Sequence, residues 1–306
     1  MNQPATEFNI GYRDAGVYQT MLPPHYYGGR EDIDLVADLL AETLGPPGAA
    51  AGRRVLDLGC GPGRVTKVLA PYADTLLGTD KSAGMIDAFR TAFPEAEHRT
   101  EDTETALAAL AAEGRRFDLV GAFWSMSYPL LECFEETTAD GVLQTSDLDT
   151  GNRRAAAIVA NLVDVIAPDG HLVMLFFDAH SPEQQLVTEL WERIHPFPGT
   201  GRGYTLELLL AGLTAAQTAG VGELTTRRLP GIALAAGHHS AQQWFLTGHL
   251  NASPALVDDP EVLDRIDRFL VSHTGADGRV RIPSGVNVIH FHATQDRDHP
   301  LPRPNP

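Results

Sequence analysis

The residues with the clearest capacity for chemistry form a glycine-rich stretch after a short apolar run. Asp57 is followed at alternate positions by Gly59, Gly61 and Gly63, and Asp80 comes 17 residues after the last glycine. The apolar run predicts a buried strand, the glycines predict a tight turn, and the helical spacing beyond them predicts a helix. Glycine lets backbone N–H groups approach a ligand closely. A carboxylate at the end of the next strand is placed to hold the hydroxyls of a ribose, so we expect a nucleoside-containing ligand.

The residues directly after the turn distinguish the possible types of ligand. A dinucleotide site needs a further glycine that lets the helix pack against the strand. Arg64 or Thr66 stands there, depending on the glycine from which the pattern is counted. The observed pattern, D-x-G-x-G-x-G, resembles the class I S-adenosylmethionine-dependent methyltransferases, in which the turn passes under the methionine part of the cofactor.

This resemblance implies a fold and a cofactor, S-adenosylmethionine. The fold is α/β, a doubly wound, mostly parallel sheet of seven strands with helices on both faces and a helical insertion before the last strand. In that family the sixth and seventh strands are neighbours, and the last one is inserted antiparallel.

The resemblance also implies a set of residues that contact the cofactor. They include the turn, the ribose carboxylate and its neighbours, and aromatic or cationic side chains near the N-terminus: Asp57, Gly59, Cys60, Gly61, Gly63, Asp80, Lys81, Met85, Asp102, Phe123, Tyr18, Tyr27 and Arg30. Met85 would pack on the adenosine, or serve as an ordinary core residue. Asp102 would reach the adenine amino group, or only cap the following helix. Arg30 would pair with the methionine carboxylate, or belong to a strap packed on the sheet.

Methyl transfer from a sulfonium requires alignment of the acceptor and exclusion of water. An acceptor hydroxyl of high pKa also needs a base, most often His, whereas a neutral amine does not. The candidates for the base are His239, which we favour, His238 and His195. His290 and His292 share one face of the last strand, but without a nearby third ligand they predict no metal site.

These residues lie in segments whose order along the chain the sequence predicts. We expect an N-terminal lid and helix over residues 1–44 and a cofactor-binding domain formed by residues 45–236 and 285–295. Residues 237–284 would form a helical insertion that selects the acceptor or contacts a second copy in a homodimer. The proline-rich tail 296–306 is expected to be disordered.

Composition narrows the function further. The chain has 306 residues and a net charge of −17, with only two lysines, so a nucleic-acid substrate is not expected. Two cysteines indicate no disulfide framework, and neither an export signal nor a membrane segment is evident, which favours the cytoplasm. The abundance of Ala, Gly, Pro and Arg favours a bacterial origin.

The sequence therefore favours a methyltransferase of bacterial specialised metabolism that acts on a small molecule. The nucleophile would be an O or N atom or, as a third option, a C atom. Two alternatives stay open. One is an enzyme that uses the same cofactor for a reaction such as cyclisation, and the other is a catalytically silent cofactor-binding protein.

Overall fold

A computed structural model describes residues 12–48, 52–138, 141–144, 147–195 and 201–294. The expected disordered tail lies outside these residues. The strands are β1 (His25–Tyr27), β2 (Arg30–Glu31), β3 (Arg54–Leu58), β4 (Thr75–Asp80), β5 (Glu97–Thr100), β6 (Phe117–Phe123), β7 (Glu135–Thr138), β8 (Gly141–Gln144), β9 (Ile166–Phe177), β10 (Gly222–Ala235) and β11 (Val280–Ala293). The helices are α1 (Ala15–Met21), α2 (Asp32–Leu44), α3 (Thr66–Leu69), α4 (Ala83–Ala92), α5 (Thr103–Ala112), α6 (Ser127–Leu131), α7 (Leu148–Asp164), α8 (Pro182–Trp191), α9 (Tyr204–Thr218), α10 (His238–Gln243), α11 (Pro254–Val257) and α12 (Pro260–Ser272).

The main sheet has the doubly wound α/β architecture that the sequence predicts. Its strand order is β2-β1-β10-β11-β9-β6-β3-β4-β5. The strands from β9 to β5 pair in parallel, and β11 lies antiparallel between β9 and β10. The chain moves from β3 outward to β5 and then returns to place β6 on the other side of β3. This reversal opens a crevice at the carboxyl ends of the strands, where ligands bind in such sheets.

The predicted count of seven strands is too low for this sheet, which has nine within the described residues. The two additional strands, β1 and β2, form a hairpin that extends the sheet beside β10. Gly28 and Gly29 form its turn with φ angles of 58° and 82°, conformations that favour glycine. Within the described residues, the segment ahead of α2 forms a helix, α1, followed by this edge hairpin.

The helical insertion before the last strand is shorter than expected. It contains α10, a π-helix over Trp244–His249, and then α11 and α12. Strand β11 begins at Val280, so the last residues of the expected insertion belong to the sheet. Val280 and Ile282 are fully buried and pair with Ala235 and Ala233 of β10, which explains the longer strand.

The core consists of apolar side chains on both faces of the sheet. One face packs against α5, α7 and α9, and the other against α2 and the short helices after the glycine turn. A separate apolar cluster joins α8, α10 and α12 to the ends of β10 and β11. The described part of the chain contains no helix that is long and apolar enough to cross a membrane.

Candidate functional site

A cavity of about 240 Å³ opens at the carboxyl ends of the central strands. The turn after β3, the ends of β4, β6 and β9, and the start of α5 form one half, which we call the cofactor half. The other half, called the far half, is formed by Leu22, His25, Val187, Trp244 and His249. The cavity therefore brings together parts of the chain that are far apart in sequence.

The glycine turn places backbone N–H groups at the wall of this cavity. Gly59 and Gly61 both line it, with φ angles of 68° and 54°. A side chain at Gly59 would overlap Ser125, whereas the space in front of Gly61 is open. Gly61 can therefore be approached closely by a ligand. The Cys60 N–H donates to the Thr79 carbonyl at 2.9 Å, which ties the turn to β4.

Asp80 lies at the end of β4 and lines the cavity. Its Oδ2 accepts from the Gly61 N–H at 3.0 Å, and its Oδ1 accepts from the Ser82 N–H at 2.8 Å. Burial raises the pKa of this carboxyl group above its usual value, and these two bonds oppose the increase. Each oxygen keeps a lone pair, so ribose hydroxyls can donate to a carboxylate that the backbone already holds in place.

Asp57 lies beneath the turn and is 2% exposed. Its Oδ2 accepts from the Thr66 hydroxyl at 2.6 Å, and burial raises its pKa to about 7. Asp57 and Cys60 line a small second cavity that shares Gly59, Gly61 and Arg64 with the first. A ligand ammonium group here would favour the ionised form of Asp57.

Arg64 provides the guanidinium group of the cofactor half, directly after the last glycine. It forms a bidentate ion pair with Asp32, with distances of 2.9 Å and 2.5 Å, and Asp32 also accepts from Trp124 Nε1 at 3.2 Å. Burial disfavours the charged form of Asp32, but the Arg64 pair lowers its pKa below the ordinary value. Arg64 Nε is buried and has no partner within the described residues. Arg64 lines the cavity beside Tyr18, and a guanidinium group in this position is suited to bind a ligand carboxylate.

The aromatic wall near Arg64 includes a strained backbone position. Trp124 has a φ angle of 63°, which is uncommon for a bulky residue. Its N–H donates to the Leu175 carbonyl, and its indole donates to Asp32, so both ends of the residue are fixed. Strain of this kind is typical of functional sites, where surrounding contacts hold a side chain in place.

Five more of the cofactor-binding candidates face the same cavity. Lys81, Met85, Asp102, Phe123 and Tyr27 all line the cavity. Asp102 also caps α5, because its carboxylate accepts from the Thr105 N–H and hydroxyl. Capping α5 and reaching the adenine amino group, the two roles expected for Asp102, are therefore compatible.

Two of the candidates line neither the main cavity nor the second one. Arg30 is exposed and pairs with Asp38 at 2.9 Å, because its hairpin places it on α2 rather than over the turn. We correct that expectation: Arg64, unlike Arg30, lines the cavity. Gly63 packs against the Phe93 ring and lines neither cavity, so its contribution is to the packing of the turn.

None of the three histidines proposed as the base lines the cavity. His239 is exposed, and His238 pairs with Asp267 at 2.8 Å on the outer side of the insertion. His195 is buried beside Glu135 at 3.4 Å. The expectation of a base among them is corrected because α10 turns these side chains away from the cavity, and the loop after α8 holds His195 elsewhere.

The far half instead contains a buried acidic group. Glu183 of α8 accepts from Trp244 Nε1 at 2.7 Å and lies 3.0 Å from His249 Nε2. It is 2% exposed. Burial disfavours its charge, but the hydrogen bond to His249 and the charges of His249 and His25 outweigh burial and lower the pKa of Glu183 to about 2. The carboxylate is therefore ionised at neutral pH.

A second histidine of the far half, His25, lies on β1. It is 8% exposed, and its Nδ1 is 2.8 Å from the Pro23 carbonyl. Burial lowers the pKa of His25, although Glu183 and Asp32 oppose the decrease. In the sequence, the Gly28-Gly29 pair indicates a turn beside this strand. No local sequence pattern indicates that Glu183 pairs with His249.

Three histidines meet on the sheet away from the cavity. His171 Nδ1 is 3.0 Å from His290 Nε2, and its ring stacks on His292 at 4.4 Å. The premise that His290 and His292 lack a neighbouring third histidine is therefore wrong. Burial and the two neighbours lower the pKa of His171 to about 4. Even so, no group of side chains within the described ranges has the arrangement of a metal site.

Comparison with known families bears directly on this geometry. Residues 55–136, which run from β3 and the glycine turn to the start of β7, match the model of a methyltransferase domain. Residues 55–136 therefore carry a methyltransferase domain. Its cofactor is S-adenosylmethionine. No curated protein shows significant sequence similarity to this chain.

Several solved structures are similar to the chain. The YcgJ protein from Bacillus subtilis is 14% identical with a TM-score of 0.48, and the match covers 86% of this chain and 98% of that one. A putative methyltransferase from Bacillus halodurans is 12% identical with a TM-score of 0.47, covering 86% and 99%. The N-methyltransferase NodS from Bradyrhizobium japonicum, solved with S-adenosyl-L-homocysteine, is 14% identical with a TM-score of 0.40, covering 85% and 86%.

Proposed function

We propose that this protein transfers the methyl group of S-adenosylmethionine to an O, N or C nucleophile of a small molecule. The observation that carries the proposal is one continuous cavity that joins the glycine turn and Asp80 to a far half with its own buried polar groups. A cofactor-binding protein without catalysis needs only the glycine turn and Asp80. The far half supplies a place for a second reactant beside the first.

The cofactor half offers a matching group for each polar part of S-adenosylmethionine. Asp80 would accept the ribose hydroxyls, and Arg64 would bind the methionine carboxylate. Asp57, in the small second cavity, would favour the methionine ammonium group. Met85 and Phe123 would pack on the adenosine, and Asp102 would lie near the adenine.

The far half favours a small and largely apolar acceptor. Trp244 contributes an aromatic wall, and Leu22 and Val187 contribute aliphatic ones. The charge balance of the chain disfavours nucleic acid, because a net charge of −17 repels a phosphate backbone. Within the proposal, a soluble bacterial enzyme of specialised metabolism is the expected setting, and a homodimer is compatible with it.

The test is transfer of an isotopic label. The purified protein is incubated with S-adenosylmethionine carrying a labelled methyl group and with a small-molecule extract of its host, and the products are separated by mass. Label in a new small molecule supports the proposal. Tight binding of the cofactor with no labelled product, or with a product that contains another part of the cofactor, contradicts it.

A further inference from the structure

We propose that His25 is the general base of this enzyme and that the methyl acceptor is a hydroxyl group on a small, largely apolar molecule. The inference rests on the proposed function and names the acceptor class and one catalytic residue. It is carried by the position of His25 in the far half, the fixed tautomer of its ring and the two buried carboxylates around it.

The tautomer of His25 follows from its hydrogen bond. A backbone carbonyl only accepts, so the Nδ1 that lies 2.8 Å from the Pro23 oxygen carries the proton. In the neutral ring, Nε2 is then the basic atom. No hydrogen bond occupies Nε2 within the described part of the chain, and the ring lines the cavity. The base form is therefore oriented before any ligand arrives.

The backbone of His25 is fixed as firmly as its ring. His25 pairs with Ala233 of β10, and the Leu234 N–H donates to the Pro24 carbonyl at 2.8 Å. The ring centroid lies 6.1 Å from that of Trp124, on the cofactor half, and 5.6 Å from that of Trp244, on the far half. His25 thus stands at the boundary where the donor and the acceptor would meet.

The charges that face His25 favour a base of this kind. They belong to two pairs. One pair is Glu183 on α8 with His249. The other is Asp32 on α2 with Arg64, which follows the glycine turn. Burial keeps the ring neutral at rest, and the two carboxylates stabilise the imidazolium that forms when it takes a proton. A base that works near neutral pH needs both a neutral resting form and a stabilised protonated form.

The step conserves atoms and charge. The acceptor oxygen forms a bond to the methyl carbon while the carbon–sulfur bond breaks, and the electron pair of that bond remains on sulfur. The acceptor proton moves to His25 Nε2. One positive charge is lost from the sulfonium and one is gained by the imidazolium, so the carboxylates Asp32 and Glu183 face the same net charge before and after the reaction. A hydroxyl acceptor needs such a base in the site, whereas an amine that arrives neutral does not.

His249 is the nearest alternative and is less suited to this role. Its Nε2 is directed to Glu183 at 3.0 Å, and its side chain is 11% exposed. It holds the carboxylate that faces His25. We therefore assign His249 a positioning role and His25 the proton transfer.

The first test follows the titration of His25 in the intact protein. Histidine labelled with ¹⁵N and ¹³C is incorporated, and the His25 signal is assigned by its loss in His25→Asn. Saturation with S-adenosylhomocysteine instead of S-adenosylmethionine removes the sulfonium charge, so the pKa of His25 should rise by on the order of 1 pH unit. The signal of His98, an exposed residue on β5, is the control and should not move. An equal His25 pKa in the two complexes, or a proton on Nε2 in the neutral ring, overturns the proposal.

The second test compares variants and acceptors. His25→Asn keeps an amide N–H to donate to Pro23 but removes the basic nitrogen, so kcat should fall by about 10²-fold or more while the Kd for the cofactor is unchanged. The acidic limb of the wild-type pH profile should disappear in this variant. His98→Asn is the matched control. The probes are 4-methylphenol and 4-methylaniline, which share shape and differ in the nucleophile, and methylation of the phenol alone is expected.

The outcomes separate this inference from the proposed function. Methylation of the aniline alone, or a variant with unchanged kcat and pH profile, overturns the assignment of His25 and leaves methyl transfer intact. Failure of the protein to bind S-adenosylmethionine contradicts the proposed function itself. If neither probe is turned over, the His25 pKa in the complexes with S-adenosylmethionine and S-adenosylhomocysteine decides for or against His25. The same comparison decides if His25→Asn does not fold, and His25→Gln is then used to assign the His25 signal.

Discussion

In the proposed function, Arg64 and Asp80 would divide the recognition of the cofactor between them. Asp80 is held by backbone N–H groups at the end of β4, whereas Arg64 is held by Asp32 at the start of α2. In the proposed function, Asp80 would contact the nucleoside part of the cofactor and Arg64 the amino-acid part. Ligands that lack one end can therefore test each residue separately.

Arg64→Lys should weaken binding of S-adenosylmethionine by about 1.5–3 kcal/mol, because a charge-assisted hydrogen bond from the guanidinium group to the methionine carboxylate is lost. Methylthioadenosine lacks the amino-acid part, so its affinity should not change. Calorimetry with both ligands measures the difference. Arg30→Lys should leave both affinities intact, since Arg30 pairs with Asp38 outside the cavity. Loss of S-adenosylmethionine binding in Arg30→Lys alone would restore the interpretation based on sequence.

Asp80→Asn should weaken both ligands by roughly 1–3 kcal/mol, because each contains the ribose. Asp87→Asn is the control: Asp87 lies on α4 after the same strand but pairs with Arg90 at the surface. Unchanged affinity for methylthioadenosine in Asp80→Asn would refute the ribose assignment.

At the scale of elements, α8 and the π-helix are joined through a buried polar group. Glu183 of α8 bonds to Trp244 and His249, which begin and end that π-helix. Trp191 at the other end of α8 donates to the His249 carbonyl at 3.1 Å. The far half of the cavity therefore depends on one contact between two elements.

This contact predicts a specific dependence of stability on pH. The pKa of Glu183 is about 2 in the folded protein, below its ordinary value of 4.5. A depressed carboxyl pKa stabilises the fold above the unfolded value, so its contribution is complete above pH 4.5 and is lost as the pH falls toward 2. The free energy involved is on the order of 3 kcal/mol.

Glu183→Gln should therefore be less stable than the wild type at pH 6, and the difference should shrink at pH 3.5. Urea unfolding at both pH values measures it. Glu189→Gln, on the same helix but in a surface pair with Arg265, should show little difference at either pH. An equal loss of stability at both pH values would mean that the ionised carboxylate has no role in the contact.

At the scale of the molecule, the cavity is built from both termini of the described chain. The hairpin β1–β2, the glycine turn, α8 and the insertion all contribute walls. A ligand that contacts the glycine turn and the insertion together should stabilise the whole fold, because it binds the folded state alone.

S-Adenosylhomocysteine at 100 times its Kd should add about 2.7 kcal/mol to the free energy of unfolding. Tm should rise by several degrees and continue to rise with the logarithm of ligand concentration. Asp80→Asn should need a higher ligand concentration for the same shift. A saturating ligand that leaves Tm unchanged would contradict the proposed site.

The local patterns of the sequence determined the parallel sheet, the glycine turn and the placement of Asp80, because strand and helix periodicity and glycine conformations are encoded by neighbouring residues. The resemblance carried by the same residues pointed to the cofactor. It placed Asp57, Gly61 and Met85 in one region before any tertiary contact was known.

Only the tertiary structure decided the partners that meet across the fold. Arg64 replaced Arg30 because a two-glycine turn folds the leader into an edge hairpin, and His25 rather than His239 faces the cavity because β1 pairs with β10. Glu183 and His249 are 66 residues apart and meet through the packing of two elements. Such contacts depend on strand order and helix orientation, which local periodicity does not specify.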